Sequence, residues 1–499
     1  MKSPLLLALD QGTTSTRAML FTPEGHGVFT ARRPVPTAFP EPGWVTQDAQ
    51  DILATVIACG REAMEWASGQ GHEIAAAGIT NQRETTVVWE RSTGTPVAPA
   101  IVWQSRQSTP QVERLIAEGH GPRIQEVTGL VPDAYFSATK VMWLFDHDPE
   151  LRARALRGEL CFGTVDSWVI WHLLGGRHVT DRTNASRTML MNLRSGSWSE
   201  EMLDICGIPR QLLPEIIDTW GTIGLTASDL LGGAVALGGC IGDQQSALLG
   251  QACLDPGQAK NTYGTGSFLL LNTGQTIPRS QNHMLSTVAF SHGGRTTYAS
   301  EGAVFVTGSA VQWLRDGLKV IDSAEEIETL AGSVDHSGGV VFVPALTGLG
   351  APHWDAAARG TVFGLTRGTT SAHLARATLE GIAYQTRDIV EAMTADSRVA
   401  LTELRVDGGA AANDLLMQIQ ADVLGVPVVR PVNTETTAWG AAALAGLSAG
   451  LIASPAHLGA LWGEERRFVP HGDNDLHDRG YARWKRAVAR TTGWADDTD

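Results

Sequence analysis

Two segments, half a chain apart, carry the residue types that cradle phosphate. Asp10-Gln11-Gly12-Thr13-Thr14-Ser15-Thr16-Arg17 follows an apolar run at 5–9, and Lys260-Asn261-Thr262-Tyr263-Gly264-Thr265-Gly266-Ser267 precedes another at 268–271. Glycine and small hydroxyl residues let backbone N–H groups and hydroxyls approach phosphate oxygens closely. Asp10, ending a strand-like run, is the type of group that holds hydrated Mg²⁺, and Arg17 could add charge-assisted bonds to a terminal phosphate. Alone, either segment also reads as a plain hairpin whose Asp and Thr satisfy its turn. Together they favour phosphate. A third loop, Val406-Asp407-Gly408-Gly409-Ala410-Ala411-Ala412-Asn413, leaves a strand and opens a helix near Asp414. That is a place for a phosphate or the edge of a nucleotide.

Two further clusters could act on an alcohol. In Gly242-Asp243-Gln244-Gln245, Asp243 reads either as a helix N-cap or as a general base that takes a hydroxyl proton during attack on phosphorus. In Asn81-Gln82-Arg83-Glu84-Thr85, adjacent opposite charges commonly decorate a surface. Equally, a fork of donors beside an acceptor suits a vicinal diol. Trp103 and Tyr135 are candidates for the wall of such a pocket, or for ordinary packing.

The elements that must position these residues alternate. Strand-like runs at 78–81 and 87–90 accompany helix-like stretches at 48–66 and 200–206. After the second hairpin come helix 307–318, strand 339–344, helix 371–393, strand 403–406 and helix 414–424, a pattern of mixed α/β domains. Two Gly-Thr hairpins predict a duplicated architecture. The boundary is placed at Cys253-Leu254-Asp255-Pro256-Gly257, giving halves 1–252 and 253–499, and the acidic end, 494–499, is expected to fray.

Composition removes other classes. With 38 basic and 53 acidic residues the formal charge is −15, so holding nucleic acid or an anionic membrane by bulk charge is excluded. The lysines are Lys2, Lys140, Lys260, Lys319 and Lys485, none after a glycine, so there is no P-loop. The five cysteines form no C-x-x-C pair and read as buried structural thiols rather than disulfides or a zinc site. The apolar run at 5–9 is too short for a signal peptide. The longest apolar stretch, 441–453, falls below the ~18 residues of a membrane span. A cytoplasmic protein is expected.

Taken together, these segments resemble the FGGY carbohydrate kinase family over nearly the whole chain, as far as Thr437-Ala438-Trp439-Gly440-Ala441-Ala442. The stretch from Glu301-Gly302-Ala303 to Gln312-Trp313-Leu314-Arg315-Asp316 also carries the likeness. The segment 81–85 resembles the glycerol branch of the family. The resemblance implies two actin-like, ribonuclease H-like ATPase domains flanking a deep cleft, using ATP and Mg²⁺, as a homodimer or homotetramer. It places glycerol against Arg83, Glu84, Trp103, Tyr135, Asp243, Gln244 and Phe268. It places phosphate and nucleotide contacts at Thr13, Thr14, Ser15, Arg17, Thr265, Gly308, Gln312, Gly409 and Asn413, with Mg²⁺ held near Asp10 through water. Asp243 would be the base, and sn-glycerol 3-phosphate the product.

Competing readings are a kinase for a pentulose or another polyol, with the same fold and ATP loops, and an actin-like ATPase acting as an assembly module. Some relatives resembling this chain bind fructose 1,6-bisphosphate, or carry a phosphorylatable His, just before the Gly-Asp-Gln-Gln segment. The corresponding stretch, 226–239, contains no Arg, Lys or His. Neither form of control is expected.

Overall fold

The computed structural model describes residues 4–472 and 474–495. Asp496, Asp497, Thr498 and Asp499, most of the acidic end predicted to fray, lie outside the described residues. One mixed sheet contains β1 (Leu5–Gln11), β2 (Ser15–Phe21), β3 (Gly27–Pro34), β4 (Ile74–Asn81), β5 (Trp220–Leu225) and β6 (Ala236–Gly242), in the order β5-β6-β4-β1-β2-β3. A second contains β7 (Gln258–Tyr263), β8 (Ser267–Gly274), β9 (Leu285–His292), β10 (Arg295–Val304), β11 (Glu403–Asp407), β12 (Val428–Pro431) and β13 (Glu464–Phe468), in the order β9-β10-β8-β7-β11-β12-β13.

Without β5, β9 and β13 the two sheets have one topology: β3-β2-β1-β4-β6 and β10-β8-β7-β11-β12. In each, three antiparallel strands are followed by two that run parallel to the hairpin's first strand. The duplication read from two hairpins is therefore a duplication of whole five-stranded cores, as the expected actin-like fold requires.

The apolar run of β1 is buried along its whole length, as befits a strand covered on both faces. One cover is α1 (Ala49–Gly69), capped by Asp48 and burying Ile52, Val56, Cys59 and Ala63 at helical spacing. Further helices are α2 (Ser137–His147), α3 (Asp243–Gly250), α4 (Gly308–Asp316), α5 (Ser371–Ser397), α6 (Asp414–Leu424) and α7 (Thr436–Ser448). Helix α5 runs four residues beyond its expected end, and the strand expected at 339–344 shortens to Val341–Val343.

The halves are keyed together by exchanged helices. Although α7 follows β12, its Ala-rich face packs on the first sheet with Leu6, Ala8, Ala76 and Ile241. Conversely α3, which follows β6, sets Leu248 against Leu270, Ala289 and Ala299 of the second sheet. The two helices touch where neither can carry a side chain. A methyl on Gly440 would lie 2.1 Å from the Ser246 carbonyl oxygen, and one on Gly250 2.0 Å from that of Thr436. All five cysteines are buried and free. Among the described residues, no helix is long and apolar enough to cross a membrane.

Candidate active site

The polyol-type cluster forms where β4 and β6 end side by side. Asn81, last in β4, exchanges two amide bonds with Asn184 (3.0 and 3.1 Å). Thr183 Oγ1 accepts from the Gly242 backbone N–H at 2.9 Å. Asp181 caps this turn through the N–H groups of Thr183 and Asn184, so one capped turn fixes both strand ends. Beyond Asn81 the chain is forced inward. Glu84 has φ = 61°, a left-handed conformation that costs a non-glycine residue energy. Its carbonyl is held by the hydroxyls of Ser137 and Thr86, both at 3.1 Å. Arg83 and Glu84 are 3% and 1% exposed, so the surface-decoration reading is overturned.

Arg83 is gripped from both halves. Its Nη1 and Nη2 donate to Glu301 at 2.5 and 2.9 Å, Nη1 also to Gln245 Oε1 at 3.2 Å, and Nε lies 3.3 Å from Asp243 Oδ1. Arg187 donates from Nε to Glu84 Oε1 at 2.6 Å and from Nη2 to Glu301 Oε1 at 3.0 Å. Glu84 Oε2 is left without a protein donor among the described residues. Burial raises the Glu84 carboxyl despite the two arginines. At Glu301 burial pushes the same way, but Arg187 and Arg83 prevail and hold it at about 2.

Asp243 is the first residue of α3, and the N-cap is Gly242, which corrects the capping reading of Asp243. Oδ1 accepts from the Gln244 N–H at 2.7 Å, whereas Oδ2 has no protein donor among the described residues. Burial raises this carboxyl, while Arg83 and then Lys260 pull it down. The net direction is upward, although the side chain keeps 27% exposure. Lys260 is fully buried, donating to Gln244 Oε1 and to Thr262 Oγ1. Desolvation brings its ammonium down to about 8.

The aromatic candidates converge. Trp103 meets Tyr135 and Phe268 edge to face, with ring centroids 5.6 and 6.3 Å apart, and its Nε1 donates to Thr13 Oγ1 at 2.9 Å. The wall of the pocket is therefore bonded to the first phosphate-type turn.

On that side Asp10 and Arg17 are already paired. Arg17 Nε and Nη2 reach Asp10 Oδ2 at 3.1 and 2.5 Å, and Nη1 reaches Glu435 at 2.5 Å. A phosphate would have to share Arg17 with two carboxylates. Asp10 Oδ1 keeps no protein donor among the described residues, and burial raises this carboxyl against the pull of Arg17. The Thr14 carbonyl accepts from Val35 N–H at 3.0 Å, and Ser15 Oγ accepts from Arg32 at 3.1 Å. In the second turn, the Thr265 carbonyl accepts from the N–H groups of Thr307 and Ser309, and the Gly308 N–H donates to Gly264 at 3.0 Å. That docks the turn on the N-terminus of α4. Gln312, one helical turn along α4, is exposed. Gly409 is exposed in a 3₁₀ turn (Gly409–Ala412), and Asn413 caps α6 through Leu416 N–H at 2.8 Å. Among the described residues, no hydrogen bond, ion pair or ring contact joins Gln312, Gly409 or Asn413 to the polyol cluster. A cavity of about 300 Å³ adjoins the third loop, lined by Asp407, Gly408, Ala411, Ala412, Arg430 and Thr434.

Sequence reasoning assigned no role to Glu301, Arg187, Lys260 or Gln245. Three of them left a trace. Lys260 is one of only five lysines and sits inside a strand, Glu301 opens a segment already set apart by its resemblance, and Gln245 ends the segment that contains Asp243. Arg187 left none.

The order of these sites along the chain has known counterparts. Residues 5–250 match the N-terminal domain of the FGGY family of carbohydrate kinases, and residues 259–449 match its C-terminal domain. The chain belongs to this family. As an FGGY kinase it is 56% identical to the glycerol kinase of Aromatoleum aromaticum over 490 residues, 98% of this chain and 99% of that one. It is 53% identical to the Deinococcus radiodurans glycerol kinase over 496 residues, 99% of both. Its structure is similar to that of Plasmodium falciparum glycerol kinase with ADP, with a TM-score of 0.94 at 35% identity over 98% of each chain. The fold is also that of a xylulose kinase from Lactobacillus acidophilus, with a TM-score of 0.88 at 21% identity over 98% of this chain and 99% of that one.

Proposed function

We propose that this FGGY kinase transfers the terminal phosphoryl group of ATP to glycerol, giving sn-glycerol 3-phosphate and ADP in glycerol catabolism. The observation that carries the reading is the meeting of Arg83, Glu84 and Asp243 in one partly buried cluster beside aromatic rings, one of them bonded to a phosphate-type turn. The glycerol kinase relatives support the same substrate.

Arg83 and Glu84 take neighbouring hydroxyls. Glu84 Oε2 accepts, and the second Nη2 N–H of Arg83, given neither to Glu301 nor to Gln245, donates. Trp103, Tyr135 and Phe268 cover the carbon skeleton and exclude water, while Gln244 lines the same wall. Asp243, through its open Oδ2, takes the proton of the terminal hydroxyl as it attacks, within the pull of Arg83 and Lys260. Thr13, Thr14, Ser15 and Thr265 cradle the phosphates, with Arg17 beside them. Gly308 and Gln312 at the start of α4, with Gly409 and Asn413 by the third loop, border the nucleotide. Asp10 fits a hydrated Mg²⁺, because its Oδ1 is open and such an ion needs only one or two carboxylates. Bound there, Mg²⁺ would neutralise charge on the phosphate oxygens. Most of the catalysis is positioning and charge stabilisation.

Residues 1–252 supply the first hairpin and most of the polyol pocket, and 253–499 the second hairpin and the base-side loop. A homodimer or homotetramer in the cytoplasm completes the proposal, with light scattering as the check on assembly. The deciding experiment is ADP release by purified protein with glycerol, pentuloses and other polyols as acceptors. Preference for a pentulose would replace the substrate, and an ATPase rate indifferent to every acceptor would replace the enzyme class.

A further inference from the structure

The polyol pocket is built mostly from the first half, yet one buried carboxylate reaches it from the second. Glu301, on β10, is 1% exposed and accepts three guanidinium bonds, two from Arg83 and one from Arg187. Arg187, fully buried, ties Glu301 to Glu84 and lies over the rings of Tyr135 and Phe136, 5.6 and 5.5 Å from their centroids. Two arginines and two glutamates make a bonded set of balanced charge, and only Glu301 comes from the second half.

This balance decides where the fork of Arg83 points. Its Nε is already 3.3 Å from Asp243. Released from Glu301, the guanidinium is free to give Asp243 two parallel bonds, the preferred geometry of such a pair. That would cover the oxygen that must accept a proton and withdraw the donor that must hold the substrate. Arg187 cannot replace that restraint, because it donates to Glu84 and Glu301 and a guanidinium has no acceptor with which to hold Arg83.

We infer that Glu301 is a positioning residue for polyol recognition, holding Arg83 off Asp243 and toward the substrate, so that the grip of the first half depends on a carboxylate of the second. The inference rests on glycerol being the substrate. The wild-type chain, assayed alongside, tests that reading separately: no glycerol phosphorylation by wild type would sink the substrate assignment, whatever the variants do.

The experiment is Glu301→Gln in the full chain, with KM for glycerol and for ATP, kcat, and calorimetric binding of ATP alone. We expect the glycerol KM to rise about 10–100-fold, the scale of a lost charged hydrogen bond, with kcat reduced and ATP binding unchanged. An unaltered glycerol KM, or parallel rises for both substrates, overturns the inference. If this variant does not fold, Glu301→Gln with Arg187→Gln removes one charge of each sign. It should fold, leave ATP binding intact and still bind glycerol weakly. Wild-type glycerol affinity in the double variant, or failure of that balanced variant to fold, also overturns the inference, the latter by making Glu301 a structural residue.

Discussion

The loops that follow β4 and β11 hold the same place in the duplicated core, and they are opposites. Both leave a strand that runs parallel to the first strand of a hairpin, with Asn81 beside Gln11 in one sheet and Asp407 beside Thr262 in the other. After β4 come Gln82 and the charged pair Arg83 and Glu84, all buried and bent through a left-handed Glu84. After β11 come two exposed glycines and three alanines, beside an open cavity. A small polyol offers only hydroxyls, so its site must concentrate buried donors and acceptors. A nucleotide base offers a broad flat face, so its site must leave room. On the proposed reading one backbone position serves both, because the fold fixes the strand end and leaves the loop's chemistry free.

The largest expected effect tests whether the first loop's charges serve a base. Asp243→Asn keeps shape and one acceptor but cannot take a proton, so kcat should fall by about 10²–10⁴ while calorimetry still finds glycerol bound. Near-normal turnover would leave Asp243 a structural feature of α3.

Arg83→Ala should weaken glycerol by ~1.5–3 kcal/mol, about 10–100-fold in KM, with little change for ATP. An equal rise in both constants would mean that Arg83 serves closure and not the polyol.

The mirror experiment is on the second loop. A Cβ at Gly409 meets nothing within 4 Å, so Gly409→Val should fold normally. Crowding the base should cost on the order of 1 kcal/mol, about fivefold in the KM for ATP, with the KM for glycerol untouched. If glycerol suffers instead, the two loops are not divided as described.

The pH profile sharpens the same contrast. Burial raises the Asp243 carboxyl, with Arg83 and Lys260 opposing, so its base form is lost earlier on acidification. The acid limb of kcat/KM for glycerol should therefore lie above the ordinary aspartate value of about 3.9. A limb at or below that value would refute the role of burial.

The smallest effect expected is none. Among the described residues, the only arginine bonding to 226–239 is Arg61 of α1, which donates to the carbonyls of Asp229 and Leu230 at 2.7 and 2.5 Å. A bisphosphate needs concentrated positive charge, so millimolar fructose 1,6-bisphosphate should leave the initial rate unchanged at low and high protein concentration. Clear inhibition would reveal a site outside this stretch.

What the sequence by itself determined is local. Each hairpin is a strand, a small-residue turn and a strand within twenty residues. The segments at 81–85, 242–245 and 406–413 announce themselves because neighbouring residue types make one chemical unit. What only the tertiary structure decided is which distant units meet. Arg83 finds Glu301 across 218 positions, Arg17 finds Glu435 across 418, and α7 leaves its own half to cover the first sheet. No periodicity records such pairings. A charged residue in a strand looks the same in sequence whether it faces water or a buried guanidinium, and the difference is made by desolvation, which exists only once the chain has closed around it.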